Sequence, residues 1–211
     1  EAGLWLGVTV DAPQSNGGTW ETGGYDWAAL GAAADQLRFE MPLTPEAYKP
    51  GGSAEQLIQW AVTQVDRHKL MPVYSTLSTD GAQTVAMDAV LSSLGEVAVQ
   101  QTLTESVMPG TQLSLSLGQV GVMEDPETRA TSVVADGATY YLGTPQWLRT
   151  RLDLVTRYRL GGVVLNDLFH AGNMTGLVPA VADFKADGAG TAASMPEVVW
   201  TVTHPTGQTT Q

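Results

Sequence analysis

Cysteine is absent from this chain, which excludes disulfides, thiolate metal sites and cysteine nucleophiles without fixing a redox compartment. Basic residues are scarce, 10 Lys and Arg against 22 Asp and Glu, for a net charge of -12. Such a surface repels phosphate and anionic lipid, and counterion release would oppose contact with nucleic acid, so nucleic acid is not an expected partner. No apolar run approaches the ~20 residues that cross a bilayer, so no membrane insertion is expected. The chain begins Glu1-Ala2 with neither an initiating Met nor a signal-like segment, and it reads as a processed or excised piece. A Gly-rich phosphate loop, a Ser-His-Asp order and a zinc signature are all missing. Glu124-Asp125 and Asp136 are acidic turn residues without metal-ligand spacing, and no metal or cofactor is expected. Low Lys, high Thr, Ser and Gly, and the acidic balance lean toward an exported protein, extracellular or attached to a cell envelope.

What is present suffices for one sizeable core: 211 residues, with 11 Pro and 23 Gly leaving room for many turns. Leu4 to Ala12 alternates as a strand, with Leu4, Leu6, Val8 and Val10 on one face. Pro13 to Gly24 carries the Asn-Gly-Gly and Thr-Gly-Gly signals of an irregular loop, after which Asp26 caps a helix through Ala34. Gln36 to Leu43 is a strand. Ser53 with Gln56 forms a capping-box pattern for a helix to Arg67, with Leu57, Ile58, Ala61 and Val65 as its buried stripe. Leu70 to Leu77 is a third strand and Val85 to Val97 a helix.

Leu113 to Leu117, Gly121 to Glu124 and Ser132 to Leu142 read as short antiparallel strands, the last turning at Asp136-Gly137, within an insertion over about 108–143. Thr144-Pro145 opens a helix on which Trp147, Leu148, Leu152, Val155 and Tyr158 recur until Gly161 stops it. Gly162 to Phe169 is the next strand and Met174 to Lys185 a helix. A small-residue linker over 186–195 precedes a segment, 196–211, whose Val198, Trp200 and Val202 alternate like the first strand of a β-sandwich. Strand and helix alternate over 1–185, which implies a parallel sheet and an α/β fold.

Two phrases carry a family resemblance. Tyr25-Asp26-Trp27-Ala28-Ala29-Leu30-Gly31-Ala32-Ala33-Ala34-Asp35 and Gly161-Gly162-Val163-Val164-Leu165 resemble the second half of a glycoside hydrolase family 18 barrel, the chitinase and spore-cortex glucosaminidase group. There a YDY-ALG-AAD phrase precedes the sixth strand and a GGV phrase forms the eighth. The resemblance covers about Leu4 to Phe184 and implies the C-terminal half of a (β/α)8 TIM barrel. Four strands cannot close a barrel of eight, so the expected partner is the rest of the barrel, from the same precursor or another chain. An assembly that buries the open side, a homo-oligomer or filament, or an open four-stranded layer complete in itself, are the other arrangements.

Active sites of such barrels lie at the carboxyl ends of the strands. The match and period two together put Thr9, Asp11, Arg38, Glu40, Pro42, Pro72, Tyr74, Val164, Asn166 and Leu168 inward. The family's general acid sits on the fourth strand, which this resemblance places upstream of Glu1, so no residue here inherits it. Where members have Met-x-Tyr-Asp on the sixth strand, this chain has Glu40-Met41-Pro42-Leu43, and Asn166 stands where the eighth strand has Trp. Pro72-Val73-Tyr74 keeps the Pro-x-Tyr of the seventh. Loss of a hydrogen-bond donor, a polariser and a stacking face reads as a catalytically degenerate module.

The candidate ligand-binding residues are Asp11, Trp20, Arg38, Glu40, Tyr74, Asn166 and Asp167. Trp20 enters as a platform in a Gly-rich loop at the mouth, Tyr74 as a sugar contact. Arg38 and Glu40 share a strand face and either pair as a salt bridge or form a remodelled polar pocket with Asp11, Asn166 and Asp167. Trp60 and Trp147 read as core, His68 as a helix-end charge, His204 as tail, and His170 as a solvated loop residue that could join the pocket. The functional expectation is a non-catalytic or weakly catalytic module that is structural or binds N-acetylglucosamine-containing glycan or peptidoglycan. The alternatives are an active retaining N-acetylglucosaminidase whose acid lies on the missing half, and a structural subunit of an extracellular filament or surface layer.

Overall fold

The computed structural model of this 211-residue chain describes residues 4–93, 122–135, 137–189, 202–203 and 209–210. β1 (Gly7–Val10) leads into a hairpin of β2 (Gln14–Asn16) and β3 (Thr19–Glu21), and α1 (Trp27–Ala33) hands the chain to β4 (Gln36–Glu40). After a single turn of 3-10 helix at Pro45–Tyr48, α2 (Ser53–Gln64) precedes β5 (Leu70–Ser75). Then come β6 (Ser78–Thr79), β7 (Thr84–Val85), α3 (Met87–Ser93), β8 (Val122–Glu124), β9 (Thr131–Ala135) and β10 (Ala138–Leu142). α4 (Pro145–Tyr158), β11 (Val164–Asn166) and α5 (Leu177–Ala189) follow, and β12 (Val202–Thr203) pairs antiparallel with β13 (Thr209–Thr210).

β1, β4, β5 and β11 form a four-stranded sheet in that order, every pair parallel. These are the four strands that the alternating pattern predicts. A five-stranded antiparallel sheet, in the order β7-β6-β10-β9-β8, stands beside it. Ala135 pairs with Ala138 and Gly137 stands at φ 76°, as the turn expected there requires, while Asp136 lies outside the described residues. This sheet also recruits Ser78–Thr79 and Thr84–Val85, which the expected insertion over 108–143 did not include. Two-residue strands carry no periodicity that a sequence could show.

Several boundaries differ for local reasons. Pro13 to Gly24 is a hairpin rather than an irregular loop, because Gly17 and Gly18, at φ 59° and 91°, make the tight turn between Asn16 and Thr19. The Ser53 capping box does not form. Gly52 is the N-cap, and Glu55 instead accepts from the Gly51 N–H at 2.9 Å. α4 begins as expected, the Thr144 hydroxyl accepting from Trp147 N at 3.2 Å. It ends not at Gly161 but at Arg159, whose left-handed φ of 50° lets Leu160 N return to Val155 O. α5 runs on through 186–189, where a linker was expected. The strand expected at Leu113 to Leu117, the end of the helix expected to reach Val97, most of 196–211 and His204 lie outside the described residues.

Register settles the faces of the parallel sheet, because Cα partners on parallel strands present side chains to the same side. Val8, Leu37 and Leu70 form one row, Val10, Phe39 and Pro72 the next, and Leu165 pairs with Tyr74. This is the helix-side face, with Leu37, Phe39 and Leu70 fully buried against Leu57, Ile58, Leu148 and Leu152. The opposite face carries Thr9, Arg38 and Met71, then Glu40, Val73 and Val164, then Ser75 and Asn166. The inward placement of Thr9, Arg38, Glu40, Val164 and Asn166 follows. Pro72 and Tyr74 are corrected: they lie on the helix side. β5 is apolar on both faces, Leu70 to Tyr74 without a polar residue, so alternation could not supply its phase.

Tyr74 is part of a buried stack. Its hydroxyl donates to Arg151 O at 3.2 Å, and its ring lies 6.3 Å from that of Tyr48. Arg151, 2 % exposed on α4, sets its guanidinium 4.3 Å from the Trp147 ring and 5.5 Å from the Tyr74 ring. Nη1 donates to Ser75 O at 2.9 Å, while Nε and Nη2 have no hydrogen-bond partner. A buried guanidinium without a carboxylate is expensive to desolvate, and two aromatic faces with one carbonyl are what offsets it here. Burial lowers the Arg151 pKa from its ordinary value and raises those of Tyr48 and Tyr74.

Helix-layer contacts complete the frame. Lys69 Nζ reaches the last carbonyls of α1, Gly31 O at 2.8 Å and Ala34 O at 2.9 Å, a cation at a helix C-terminus. Glu55 joins α2 to α4, accepting from Tyr158 at 2.8 Å and Arg157 at 3.1 Å. Gly161 packs so tightly on the β5 entry that a Cβ there would lie 2.0 Å from His68 O.

Three measurements check this frame. Gly161→Ala forces backbone apart and is expected to destabilise by about 2–4 kcal/mol in urea unfolding. The Gly51 N–H, then Tyr158 and Arg157, hold the Glu55 pKa below its ordinary 4.5. Its contribution is therefore present above pH 4.5 and lost as pH falls through the lower folded value, so Glu55→Gln is expected to shallow the acid limb of a stability–pH curve. Tyr48 and Tyr74 ionise more readily unfolded, from pH 10.0, than folded. Stability should hold below about pH 10 and fall above it, less steeply in Tyr74→Phe when followed by circular dichroism.

Candidate functional site

The parallel strands end on one side of the sheet, and polar groups gather there between β5 and β11. Ser75 Oγ donates to Asp167 Oδ2 at 3.0 Å and accepts from Leu77 N at 3.2 Å. Thr76 binds Asn166 O twice, through N at 3.2 Å and Oγ1 at 3.1 Å, which prolongs the strand pairing beyond β5. Asp167 sits at φ 63°, a left-handed conformation uncommon outside Gly and a form of local strain that accompanies binding sites. The Asn166 and Asp167 side chains are exposed.

Beyond β11 the chain makes a tight turn, His170 N donating to Asp167 O at 2.8 Å. Leu168 packs on the core while Phe169 is 68 % exposed. Asn173 Nδ2 donates to Asp167 O and Leu168 O, Gly172 N donates to His170 Nδ1 at 2.9 Å, and Met87 N donates to Gly172 O at 2.9 Å. The turn is thus fastened at both ends and to α3.

Of the residues singled out from the sequence, the structure places Glu40, Asn166 and Asp167 at the carboxyl ends, with exposed Asp11 one residue past β1. Arg38 lies deeper on the same face, its guanidinium over Gly7 and donating to Gln36 Oε1 at 3.1 Å. The expected Arg38–Glu40 salt bridge is a correction: among the described residues Arg38 makes no ion pair. Gln36 shares its face two residues away and captures it, leaving Glu40 exposed. Trp20 is also corrected. The β2–β3 hairpin folds onto the helix layer and sets its ring 5.8 Å from Trp60, which packs 5.0 Å from Trp27, so Trp20 is half-buried rather than an open platform. Tyr74 is enclosed as described above.

Three participants escaped the sequence reading. Ser75 carries no local signal, because β5 has no polar phase to mark its faces and the pairing with Asp167 spans 92 positions. Arg151 does carry a signal: it lies four residues after Trp147 and four before Val155, within the apolar stripe of α4, where a charge is out of pattern. Phe169 had a signal, an aromatic in the Asn-Asp-Leu-Phe-His run directly after the last parallel strand.

Two open clefts lie elsewhere among the described residues. One of about 310 Å³ is bordered by Tyr48, Glu55, Glu127, Arg129, Asp153 and Arg157, and one of about 270 Å³ lies between α4 and α5 beside Arg149 and Asp183. Both are shallow and lined by surface ion pairs, Arg157–Glu55 and Arg149–Asp183. Neither cleft is lined by residues of the parallel strand ends. Among the described residues no group of three or more His, Asp or Glu could hold a metal ion, and no helix is long and apolar enough to cross a membrane.

No protein-family model matches the chain, and no curated protein matches it. Solved structures do. A chitinase from Chromobacterium violaceum aligns with a TM-score of 0.56 at 21 % identity over 87 % of this chain and 56 % of its own. The spore cortex-lytic enzyme SleL of Bacillus megaterium gives 0.54 at 12 % identity, covering 86 % and 41 %. A glycoside hydrolase family 18 N-acetylglucosaminidase from Paenibacillus barengoltzii gives 0.54 at 15 % identity, covering 85 % and 56 %. The chain thus spans about half the length of the structures it matches. With its four parallel strands in sequential order, it carries part of a family 18-like glycoside hydrolase barrel fold.

Proposed function

We propose that this chain is the later-strand half of a family 18-like barrel that binds N-acetylglucosamine-containing glycan, peptidoglycan included, without hydrolysing it. Its setting is a secreted or envelope-attached protein. The observation that carries the reading is the polar cluster of Glu40, Ser75, Asn166 and Asp167 at the strand ends, where barrels of this type hold their ligands. Against hydrolysis stand Pro42-Leu43 and Asn166 at the positions where the resemblance calls for Tyr-Asp and Trp. A fold outlives its chemistry readily, because the strand ends can change while the core packing stays.

The partner in this reading is the polypeptide that completes the barrel. Among the described residues β1 and β11 each pair on one side only, and Leu4, Trp5 and Leu6, just before β1, are 86 %, 63 % and 51 % exposed. Free parallel edges and an apolar flank favour pairing with further strands. Closure by a second copy of this chain, as in an oligomer or filament, is the competing arrangement.

The alternative is an active retaining hydrolase whose acid lies on the completing half, a reading favoured by the match to about half of a chitinase. Incubation with tetra-N-acetylchitotetraose separates the two. The protein, alone and with the polypeptide that closes its barrel, is expected to bind the oligomer while releasing no shorter sugar by mass spectrometry. Steady release of disaccharide would establish the hydrolase, and a DxxDxDxE strand in the completing half would favour it.

A further inference from the structure

We propose that the turn Asp167–His170 is a monosaccharide subsite, with the Phe169 ring as its apolar platform and Asn166, Asp167 and His170 as its hydrogen-bonding rim. The inference rests on the glycan-binding reading above and identifies where on the strand-end face the sugar sits.

Pyranose rings present a C–H face, which packs on an aromatic plane, and a rim of hydroxyls that need both donors and acceptors. All three requirements meet here. The Phe169 ring is 68 % exposed. The exposed Asp167 carboxylate offers acceptor capacity beyond its single bond from Ser75. The exposed Asn166 amide offers both donor and acceptor. His170 Nδ1 accepts from the Gly172 N–H, so the neutral imidazole carries its proton on Nε2 and has a donor left over.

A lone exposed aromatic is common and by itself means little. This one differs in how it is held. Phe169 occupies a central position of a turn closed by His170 N to Asp167 O, braced by both Asn173 Nδ2 bonds and anchored to α3 through Met87 N. Its neighbour Leu168 is packed into the core, so the turn buries one of its two apolar side chains and leaves the other in water. An aromatic on a backbone fixed in this way has only its two side-chain torsions to lose when a ligand arrives, which is the property of a good anchor. The position also replaces a lost function: the stacking face expected on the last strand is Asn166, and Phe169 returns an aromatic plane to the same end of the sheet three residues later.

Isothermal titration with tetra-N-acetylchitotetraose, with cellotetraose as the control for the acetamido groups, tests the subsite. Phe169→Ala is expected to weaken binding about tenfold, the scale of one aromatic contact, with an unchanged melting temperature because the ring is exposed. Phe169→Trp should bind at least as tightly as the wild type. Phe169→Leu keeps apolar bulk without a planar face and should lose most of the affinity, which keeps the test decisive if Phe169→Ala proves unstable. Wild-type affinity in Phe169→Leu and Phe169→Ala, with clear binding by the unaltered protein, would overturn the subsite and leave the glycan reading intact. Absence of binding by the unaltered protein would overturn both.

Discussion

Two hydrogen bonds near the carboxyl end of β5 run in opposite directions between the sheet and α4: Tyr74 donates to the Arg151 carbonyl, and the Arg151 guanidinium donates to the Ser75 carbonyl. Between them they decide which way β5 faces. With Tyr74 turned to the helix layer, Ser75 must turn to the opposite face, where it meets Asp167 and secures the start of the turn that follows β11. The buried charge that makes this possible is held by two aromatic faces rather than by a carboxylate. Helix packing and site geometry are therefore one arrangement, and α4 reaches the end of β5 through the Arg151 guanidinium.

The parallel sheet has one dry face and one open face. On the dry side, rows set by register bring Leu37, Phe39 and Leu70 against α2 and α4. On the other, Thr9, Glu40 and Asn166 are exposed while Val73 is buried and Met71 and Val164 are half-covered. Parallel sheets are ordinarily covered on both faces, and a mixed face of this kind suits the inner side of a barrel. The acidic balance and the polar strand ends fit a site for a neutral, hydroxyl-rich ligand better than one for an anion.

Much of the architecture could be read from residue order. Asp26 before Trp27 and Thr144 before Pro145 mark helix starts, and both side chains cap as expected. The stripe of Leu57, Ile58 and Ala61 is buried at helical spacing, and alternation in β4 separates Leu37 and Phe39 from Arg38 and Glu40. Reading failed where the local signal was degenerate or the partner distant. β5 has no polar phase, so Tyr74 was turned the wrong way. At Ser53 the capping pattern fails because the helix starts one residue earlier, with Gly52 as N-cap, and Glu55 and Gln56 both turn back to the Gly51 backbone. Trp20 in a Gly-rich stretch looked free, yet the Gly17-Gly18 turn folds it back onto Trp60.

By itself, the amino-acid order determined the alternation of four strands with capped helices, their parallel sense, and the residue types present near the strand ends, because periodicity and capping act over a few neighbouring positions. Only the tertiary structure decided which face of β5 looks outward, that Arg38 is captured by Gln36 instead of Glu40, and that Ser75, Asp167 and Phe169 share one corner. Those outcomes depend on contacts between residues as far apart as β5 and β11, where the competition is settled by packing and burial, and no short-range pattern records its result.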